Sequence, residues 1–482
     1  MIDLRPVGYI IGLLLVALGV AMLGPLVADL AAENGHWPAF AESALISVVT
    51  GGLMALACSN GVSGGLTIRQ SFLLTSLTWI VLPVFGAIPL MLGHTALRPV
   101  DAIFEAMSGV TTTGTTVIVG LDDLPDGILL WRGVLQWLGG LGIVIVAMLF
   151  LPVMRVGGMQ FFQTEGFDTQ GKILPRAFDI AAGLVNVYIV LTGATFAGFY
   201  LTGMTPFDAI IHAFTAVASG GFSTTDASFA AFPGAPQYVG VVAMLLGTMP
   251  FIRLIQLAQG RPLAFLGDSQ VRAYLLWTAI AVALVVVYRS VREGGLSEDL
   301  FRNSLFNVVS VFSGTGYTEG DLMPWGAFPL IVLFCVGAIG GCTSSTGCSI
   351  KVFRYQILFR VIAAQIKRLH SANRVVTIRL DGRKVTEPVL DSVILLFSLY
   401  IISLGVLSVL ISLTQVSFLG ALTGAWTAIF NIGPVFGSEV ASSGAIPDFP
   451  DAAKWIMTVG MLLGRLEIIA VIVLLFPRFW RP

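Results

Sequence analysis

The sequence predicts an all-α polytopic membrane protein, in which four pseudo-repeats of span, pore half-helix, filter loop and span surround one pore after an extra transmembrane hairpin. Three observations carry this expectation. Hydrophobic residues make up 56% of the 482, charged residues 11%, and mean hydropathy is +0.90. An ordinary soluble domain has roughly a quarter of its residues charged. Apolar stretches able to cross a hydrocarbon core of about 30 Å, which takes about 20 helical residues, recur along the whole chain. Between them a short glycine and hydroxyl motif returns four times. It reads Val110-Thr111-Thr112-Thr113-Gly114-Thr115-Thr116, then Ser219-Gly220-Gly221-Phe222-Ser223, Ser313-Gly314-Thr315-Gly316-Tyr317-Thr318 and Asn431-Ile432-Gly433-Pro434. The anchor glycines Gly114, Gly221, Gly316 and Gly433 are 107, 95 and 117 residues apart, the spacing of a degenerate copied unit.

In chain order, spans 7–30 and 41–60 form a hairpin within residues 1–62, outside the repeat. Stretch 7–30 has no small-residue cleavage site before Glu33-Asn34, so it reads as a span and not as a signal peptide. The first pore repeat, 63–157, has spans 71–92 and 127–151 around a short segment 100–111 that ends at the motif. At about 1.5 Å per residue, a dozen helical residues reach only about half of the hydrocarbon core. The second repeat, 158–262, has spans 178–201 and 237–257 around 206–218; the third, 263–371, has 274–288 and 328–358 around 300–312. After a predicted cytoplasmic β-hairpin at 372–388, where Asp381-Gly382 is the preferred two-residue turn, the fourth repeat, 389–482, has 389–413 and 454–476 around 418–430.

Arg155, Lys172, Arg176, Arg253, Arg261, Arg272, the basic connection 351–384 and the tail residues Arg478 and Arg481 all fall on one side. The positive-inside rule makes that side cytoplasmic, with both termini there. The net charge of −1 offers no basic face to nucleic acid, and the partner implied by composition is the lipid bilayer. Four scattered histidines have no metal-ligand spacing, and Cys58, Cys335, Cys342 and Cys348 read as packed free thiols.

A cation entering a bilayer exchanges its water shell for other oxygens, which filters supply as rings of backbone carbonyls. Glycine lets the backbone leave the helical and sheet wells at least steric cost. The expected carbonyl ligands are therefore Thr112, Thr113 and Gly114; Ser219, Gly220 and Gly221; Gly314, Thr315 and Gly316; and Asn431, Ile432 and Gly433. Each half-helix would point its negative C-terminal end at the motif, which favours a cation. Asp226, Glu319, Asp321 and Glu439 follow the motifs and are expected to make the outer mouth acidic.

The third repeat departs from the others, because its last span is interrupted at 337–351 by glycine and hydroxyl residues. Non-helical backbone at membrane depth is tolerated where it lines a cavity, so this stretch, with Gly340, Gly341, Thr343, Ser344, Ser345, Gly347 and Lys351, is the candidate gate beneath the filter. Intramembrane charge marks Arg465 and Glu467 in the last span as functional candidates; the structural alternatives are that they pair with each other or that the arginine holds the loop's carbonyls.

These motifs, with Leu130–Gly142, Arg155–Gln160 and Thr164–Gly166, resemble the superfamily of K+ transporters that comprises bacterial Trk and Ktr and their fungal and plant relatives, and within it the TrkH-type membrane subunits. The resemblance spans nearly the whole chain. It implies a location in a bacterial inner membrane, a K+ pathway within one monomer, a homodimer, and a cytoplasmic nucleotide-binding regulatory subunit similar to TrkA. It further implies that the third-repeat loop is the gate, that Arg465 adds to the barrier beneath the filter, and that glycine at all four anchors favours K+ over Na+. No cofactor is expected on this chain, since the nucleotide belongs to the partner. Cys342-Thr-Ser-Ser-Thr-Gly-Cys348 departs from the glycine-richer loop of relatives. Two rival readings are an H+- or Na+-coupled symporter on the same architecture, and a Mg2+-dependent intramembrane prenyltransferase suggested by Asp122-Asp123-Leu124-Pro125-Asp126.

Overall fold

The structure is a computed structural model that describes residues 2–61, 66–149, 154, 158–162, 173–371 and 376–481. The stretches at 155–157 and 163–172, which carry part of the family resemblance and the cytoplasmic Arg155 and Lys172, lie outside the described residues. Among the described residues seven helices are long and apolar enough to cross a membrane, or nine if two bent pairs each count once.

The N-terminal hairpin consists of α1 (Arg5–Ala21), α2 (Leu23–Ala31) and α3 (Trp37–Cys58). The first unit has α4 (Ile68–Gly86), α5 (Ile88–Met91), the half-helix α6 (Pro99–Val110) and α7 (Asp126–Leu149). The second has α8 (Ile173–Leu201), the half-helix α9 (Pro206–Val217), α10 (Ala235–Gly247), α11 (Phe251–Ala258) and α12 (Pro262–Leu266). The third has α13 (Ser269–Glu293), the half-helix α14 (Glu298–Ser313), α15 (Ala327–Ile339) and α16 (Val352–His370). The fourth has α17 (Glu387–Ser412), the half-helix α18 (Phe418–Phe430), α19 (Asp451–Arg465), α20 (Ile469–Leu475) and α21 (Pro477–Trp480).

Local chemistry starts these helices where the sequence indicates. Thr67 and Gln70 form a capping box on α4. Thr205, Ser297 and Ser417 cap three half-helices by accepting the amides of Asp208, Leu300 and Gly420, and proline stands in the first turn of α6 and α9. The half-helices have 12, 12, 16 and 13 residues, and at about 1.5 Å per residue none of them spans a bilayer.

Two expected spans are corrected. Stretch 237–257 is not straight but breaks by 105° between α10 and α11, and 454–476 breaks by 112° between α19 and α20. The first break contains Thr248, Met249 and Pro250, and proline removes a helical donor. The second contains Glu467 and Ile468, both left-handed at φ +58° and +42°. The third-unit interruption runs as coil between the end of α15 at Ile339 and the start of α16 at Val352.

Within the expected hairpin stretch, β1 (Arg379–Leu380) and β2 (Arg383–Lys384) pair in antiparallel register with Leu380 opposite Arg383. Asp381 and Gly382 are both left-handed at φ +49° and +79°, as a primed two-residue turn requires. Large exposed apolar side chains on the outer helices, such as Leu53 and Leu56 on α3 and Ile401, Ile402 and Val409 on α17, are those of lipid-facing surfaces.

Candidate functional site

Each half-helix delivers its C-terminal end to one motif loop. The residue two before each anchor glycine is left-handed in all four loops: Thr112 at φ +53°, Ser219 at +55°, Gly314 at +83° and Asn431 at +53°. The anchors Gly114, Gly221 and Gly316 are left-handed as well, at +85°, +80° and +80°. Gly433 is the exception, and it precedes Pro434, whose ring restricts the residue before it. Non-glycine residues in this region store strain, which persists where surrounding structure over-determines the backbone.

Hydroxyls within each unit supply that support. Ser108, Ser310 and Thr427, six residues before their anchors, donate to the carbonyls of Thr115, Tyr317 and Pro434 at 2.5, 2.7 and 2.8 Å. Nine residues before the anchors of the first three units stand Glu105, His212 and Asn307. Glu105 accepts from Thr116 Oγ1 and Val117 N, His212 Nε2 lies 3.0 Å from Ser223 Oγ, and Asn307 Oδ1 accepts from Glu319 N. In the fourth unit, where Gly424 holds that place, Thr423 bonds both the amide and the carbonyl of Phe436.

The loops close into a ring in chain order. A methyl group added at Gly114 would lie 2.1 Å from the Gly220 oxygen, one at Gly221 2.0 Å from the Thr315 oxygen, and one at Gly316 2.6 Å from the Gly433 nitrogen. One at Gly433 would meet the Gly114 oxygen at 3.4 Å. Thr115 Oγ1 donates to the Gly433 carbonyl, and Asn431 Nδ2 donates to Thr113 Oγ1, which ties the fourth loop to the first. All four anchor glycines line one cavity of about 60 Å³. The four anchors are thus brought together, and Thr113, Gly220, Thr315 and Asn431 meet a neighbouring loop, although the Gly220 carbonyl also accepts from Gln136 Nε2 at 2.7 Å.

The expected acidic mouth is more modest than the sequence suggests. Asp226 lines the cavity, but its carboxylate accepts from Gly120 N and Leu121 N. Glu439 accepts from Ser417, and Asp321 from Met323 N. Burial pushes the Glu319 carboxyl above its usual range.

Beneath the ring lies loop 340–351, all of it buried. Thr112 Oγ1 is 3.7 Å from Cys348 Sγ, and a methyl at Gly314 would meet Cys348 N at 3.6 Å, so the loop touches the first and third motif loops. Its polar groups bond what surrounds them. Thr343 N and Oγ1 donate to Gln270, the Ser344 carbonyl accepts from Phe251 N, Ser345 Oγ donates to Cys342 O, and Thr346 Oγ1 reaches the carbonyls of Val217 and Gly247. Gly340 and Lys351 bound the loop at φ +74° and +81°, and Gly341 and Gly347 pack closely enough that a methyl on either would meet the other at 3.2 and 3.0 Å.

Both helix breaks converge on this loop: Cys342 N donates to Thr248 O, and Thr346 N to Gly247 O, at the α10–α11 break. From the α19–α20 break, Arg465 Nη1 donates to the Thr346 carbonyl at 3.3 Å and lies 2.6 Å from Cys348 Sγ. Arg465 therefore holds a loop carbonyl and does not pair with Glu467. Glu467 accepts instead from Arg354 Nη2 at 2.6 Å, at the start of α16.

A family model described as TrkH, cation transport protein, matches residues 36–481. The chain belongs to the TrkH family. It is 39% identical over 414 residues to the Trk system potassium uptake protein TrkI of Halomonas elongata, covering 86% of this chain and 84% of that protein. It is 34% identical to TrkH of Escherichia coli over 99% of both chains. The crystal structure of the potassium transporter TrkH from Vibrio parahaemolyticus superposes with a TM-score of 0.92 over the whole of both chains, at 34% identity. This TrkH-family chain is accordingly a multi-pass membrane transport protein and not an enzyme. Asp122, in the acidic run that suggested a prenyltransferase, accepts from Asp226 N in an outer loop. Among the described residues, no group of three or more His, Cys, Asp or Glu side chains is placed to hold a metal ion.

Sequence reasoning overlooked Arg132 and Gln136 on α7. Both are buried and bond the second motif loop. A signal existed: a charged and a polar residue four apart share one helix face, and intramembrane charge is functional by default.

Proposed function

We propose that this chain takes up K+ across the bacterial inner membrane through a gated, channel-like, K+-selective pore. The observation that carries the reading is the single cavity lined by Gly114, Gly221, Gly316 and Gly433, in which backbone oxygens from four loops replace the ion's hydration. The carbonyls of the twelve loop residues bind the dehydrated ion, and the negative ends of four half-helices stabilise it. Loop 340–351, with Lys351 and Arg465, closes the path below. The relatives' names as potassium uptake proteins support K+ as the cargo. Positive charge on the connections and tail supports a cytoplasmic location for both termini. There the basic hairpin Arg379–Lys384 is positioned to meet a TrkA-like nucleotide-binding regulatory subunit, and the working unit is a homodimer.

Flux into liposomes tests this. Purified protein should conduct K+ in preference to Na+, and net flux should follow the K+ gradient alone. Gly114→Ser should admit Na+, because its side chain enters the space of the Gly220 oxygen at a left-handed backbone position. K+ accumulation driven by an imposed H+ or Na+ gradient would replace the pore with a symporter. Unchanged selectivity in Gly114→Ser would remove the filter assignment.

A further inference from the structure

The four loops are not supported alike, and the second is the odd one. In the other three units the hydroxyl six residues before the anchor donates to the carbonyl just after it. The corresponding Thr215 does not reach the Phe222 carbonyl: its hydroxyl donates back to Ile211 O and pairs with the Tyr317 hydroxyl of the third unit. The second loop is bonded instead by a side chain from the preceding unit. Gln136 Nε2 donates to the Gly220 carbonyl at 2.7 Å, and Gln136 Oε1 accepts from Phe222 N at 3.0 Å, so one amide grips the chain on both sides of Gly221. One helical turn earlier, Arg132 Nη1 donates to the Ser223 carbonyl at 3.0 Å, and its guanidinium lies 4.1 Å from the centre of the Phe222 ring.

Glycines that seat the helices on the loops identify the matching positions elsewhere. A methyl at Gly139 would lie 1.9 Å from the Val110 oxygen, one at Gly247 2.9 Å from that of Val217, and one at Gly464 2.2 Å from that of Ile429. Each carbonyl stands four residues before an anchor glycine, so these seats are equivalent. Three residues before the seats are Gln136, Met244 and Met461. The first unit thus has a hydrogen-bonding amide where the second and fourth have thioethers, and it faces the one loop whose own hydroxyl strut is engaged elsewhere.

We propose that Gln136 is a selectivity-determining positioning residue. It fixes the Gly220 carbonyl and the Phe222 amide, and so holds the second quadrant of the ring at the spacing that distinguishes K+ from the smaller Na+. A loosened quadrant would close on Na+ as readily as it fits K+, whereas a fixed one cannot. This inference rests on the four loops being the filter.

The test compares K+ and Na+ uptake in liposomes for the full chain and three variants. Gln136→Met copies the second and fourth units at similar volume and removes both hydrogen bonds. It should retain K+ uptake while the K+ to Na+ ratio falls by about fivefold or more, the equivalent of about one net hydrogen bond. Gln136→Glu keeps the acceptor for Phe222 N but, when ionised, has no donor for Gly220, and should also lower the ratio. If Gln136→Met does not elute as folded protein, Gln136→Glu carries the test. Gly316→Ser, in a quadrant Gln136 does not touch, separates the two levels of the argument. A changed ratio in Gly316→Ser with wild-type ratios in the Gln136 variants overturns the role of Gln136 and leaves the filter standing. An unchanged ratio in Gly316→Ser removes the filter reading itself. A merely structural glutamine would lower both fluxes in parallel, and that result too overturns the proposal.

Discussion

The outer and inner halves of this molecule are built on opposite plans. Around the ring, four half-helices of similar length reach four loops with the same left-handed residue two before the anchor, and each loop abuts the next. Beneath it, the four following helices all differ. α7 runs unbroken for 24 residues, α10 and α11 break at Pro250, α15 and α16 are separated by twelve residues of coil, and α19 and α20 break at left-handed Glu467 and Ile468. Under the proposed function, repetition suits a ring that presents equivalent oxygens to one ion. The proposed gate would need one unit unlike the rest, with neighbours that make room for it. The supports follow the same division. The ring is held by hydroxyl and amide bonds and also by a fully buried Arg132–Glu105 ion pair, and a fully satisfied buried polar network rigidifies what it joins. The floor loop is held mainly by neutral hydrogen bonds, each worth about 1 kcal/mol net.

If the ring is the rigid half, breaking its buried pair should have the largest effect on stability. Arg132→Met leaves the Glu105 carboxylate, which has no accessible surface, without its guanidinium. Stranding one partner of a buried pair costs roughly 3–5 kcal/mol. Thermal unfolding in detergent should show a large drop in midpoint, and a wild-type midpoint would mean that the ring does not depend on this strut.

The floor should respond in the opposite sense. Arg465 is buried; among the described residues its Nε and Nη2 have no hydrogen-bond partner, and its Nη1 meets a carbonyl and a thiol but no carboxylate. Arg465→Met therefore strands no counter-charge, and stability should be unchanged or higher, since replacing buried charge by a well-packed apolar side chain is often neutral or favourable. Basal K+ flux should rise by about tenfold, the equivalent of about 1.4 kcal/mol. Shortening loop 340–349 should raise it in the same direction. Lower stability with unchanged flux would make Arg465 a packing residue and erase the contrast between the two halves.

The legibility of the chain divides along the same line. The anchors, half-helices and the non-helical loop 340–351 could be read because local composition encodes them: glycine beside hydroxyls, segments too short to span, and a run of small residues inside an apolar stretch. The Asp381-Gly382 turn could be read for the same reason. The bends were hidden because 237–257 and 454–476 stay apolar through them, and Pro250 or Glu467 alone does not announce an angle above 100°. The partner of Glu467 was unreadable because Arg354 lies 113 residues away in another unit, whereas Arg465 is near in sequence but turned the other way by the break. Gln136 and Gly220, 84 residues apart, meet only because one unit's helix packs on the next unit's loop.

The smallest expected effect lies at the outer edge of the fourth unit, where one carboxylate links the ends of its pore segment. Glu439 Oε1 accepts from Ser417 N and Oε2 from Ser417 Oγ, so the residue that caps α18 is itself held by the chain that leaves the filter. The Ser417 hydroxyl bond, more than the backbone one, holds the Glu439 carboxyl below its usual range. A carboxylate depressed in the folded state stabilises the fold above its unfolded pKa, and this contribution is lost as pH falls through the folded value. Because the side chain is close to solvent, the effect is a modest one. In Glu439→Gln the unfolding midpoint should be slightly lower at neutral pH, the difference should vanish as pH falls below the ordinary carboxylate range so that the acid limb flattens, and the K+ to Na+ ratio should not change. A shift in that ratio would mean that the outer edge is coupled to the ring more tightly than Arg132 and Gln136 require, and the rigid half would then have to include it.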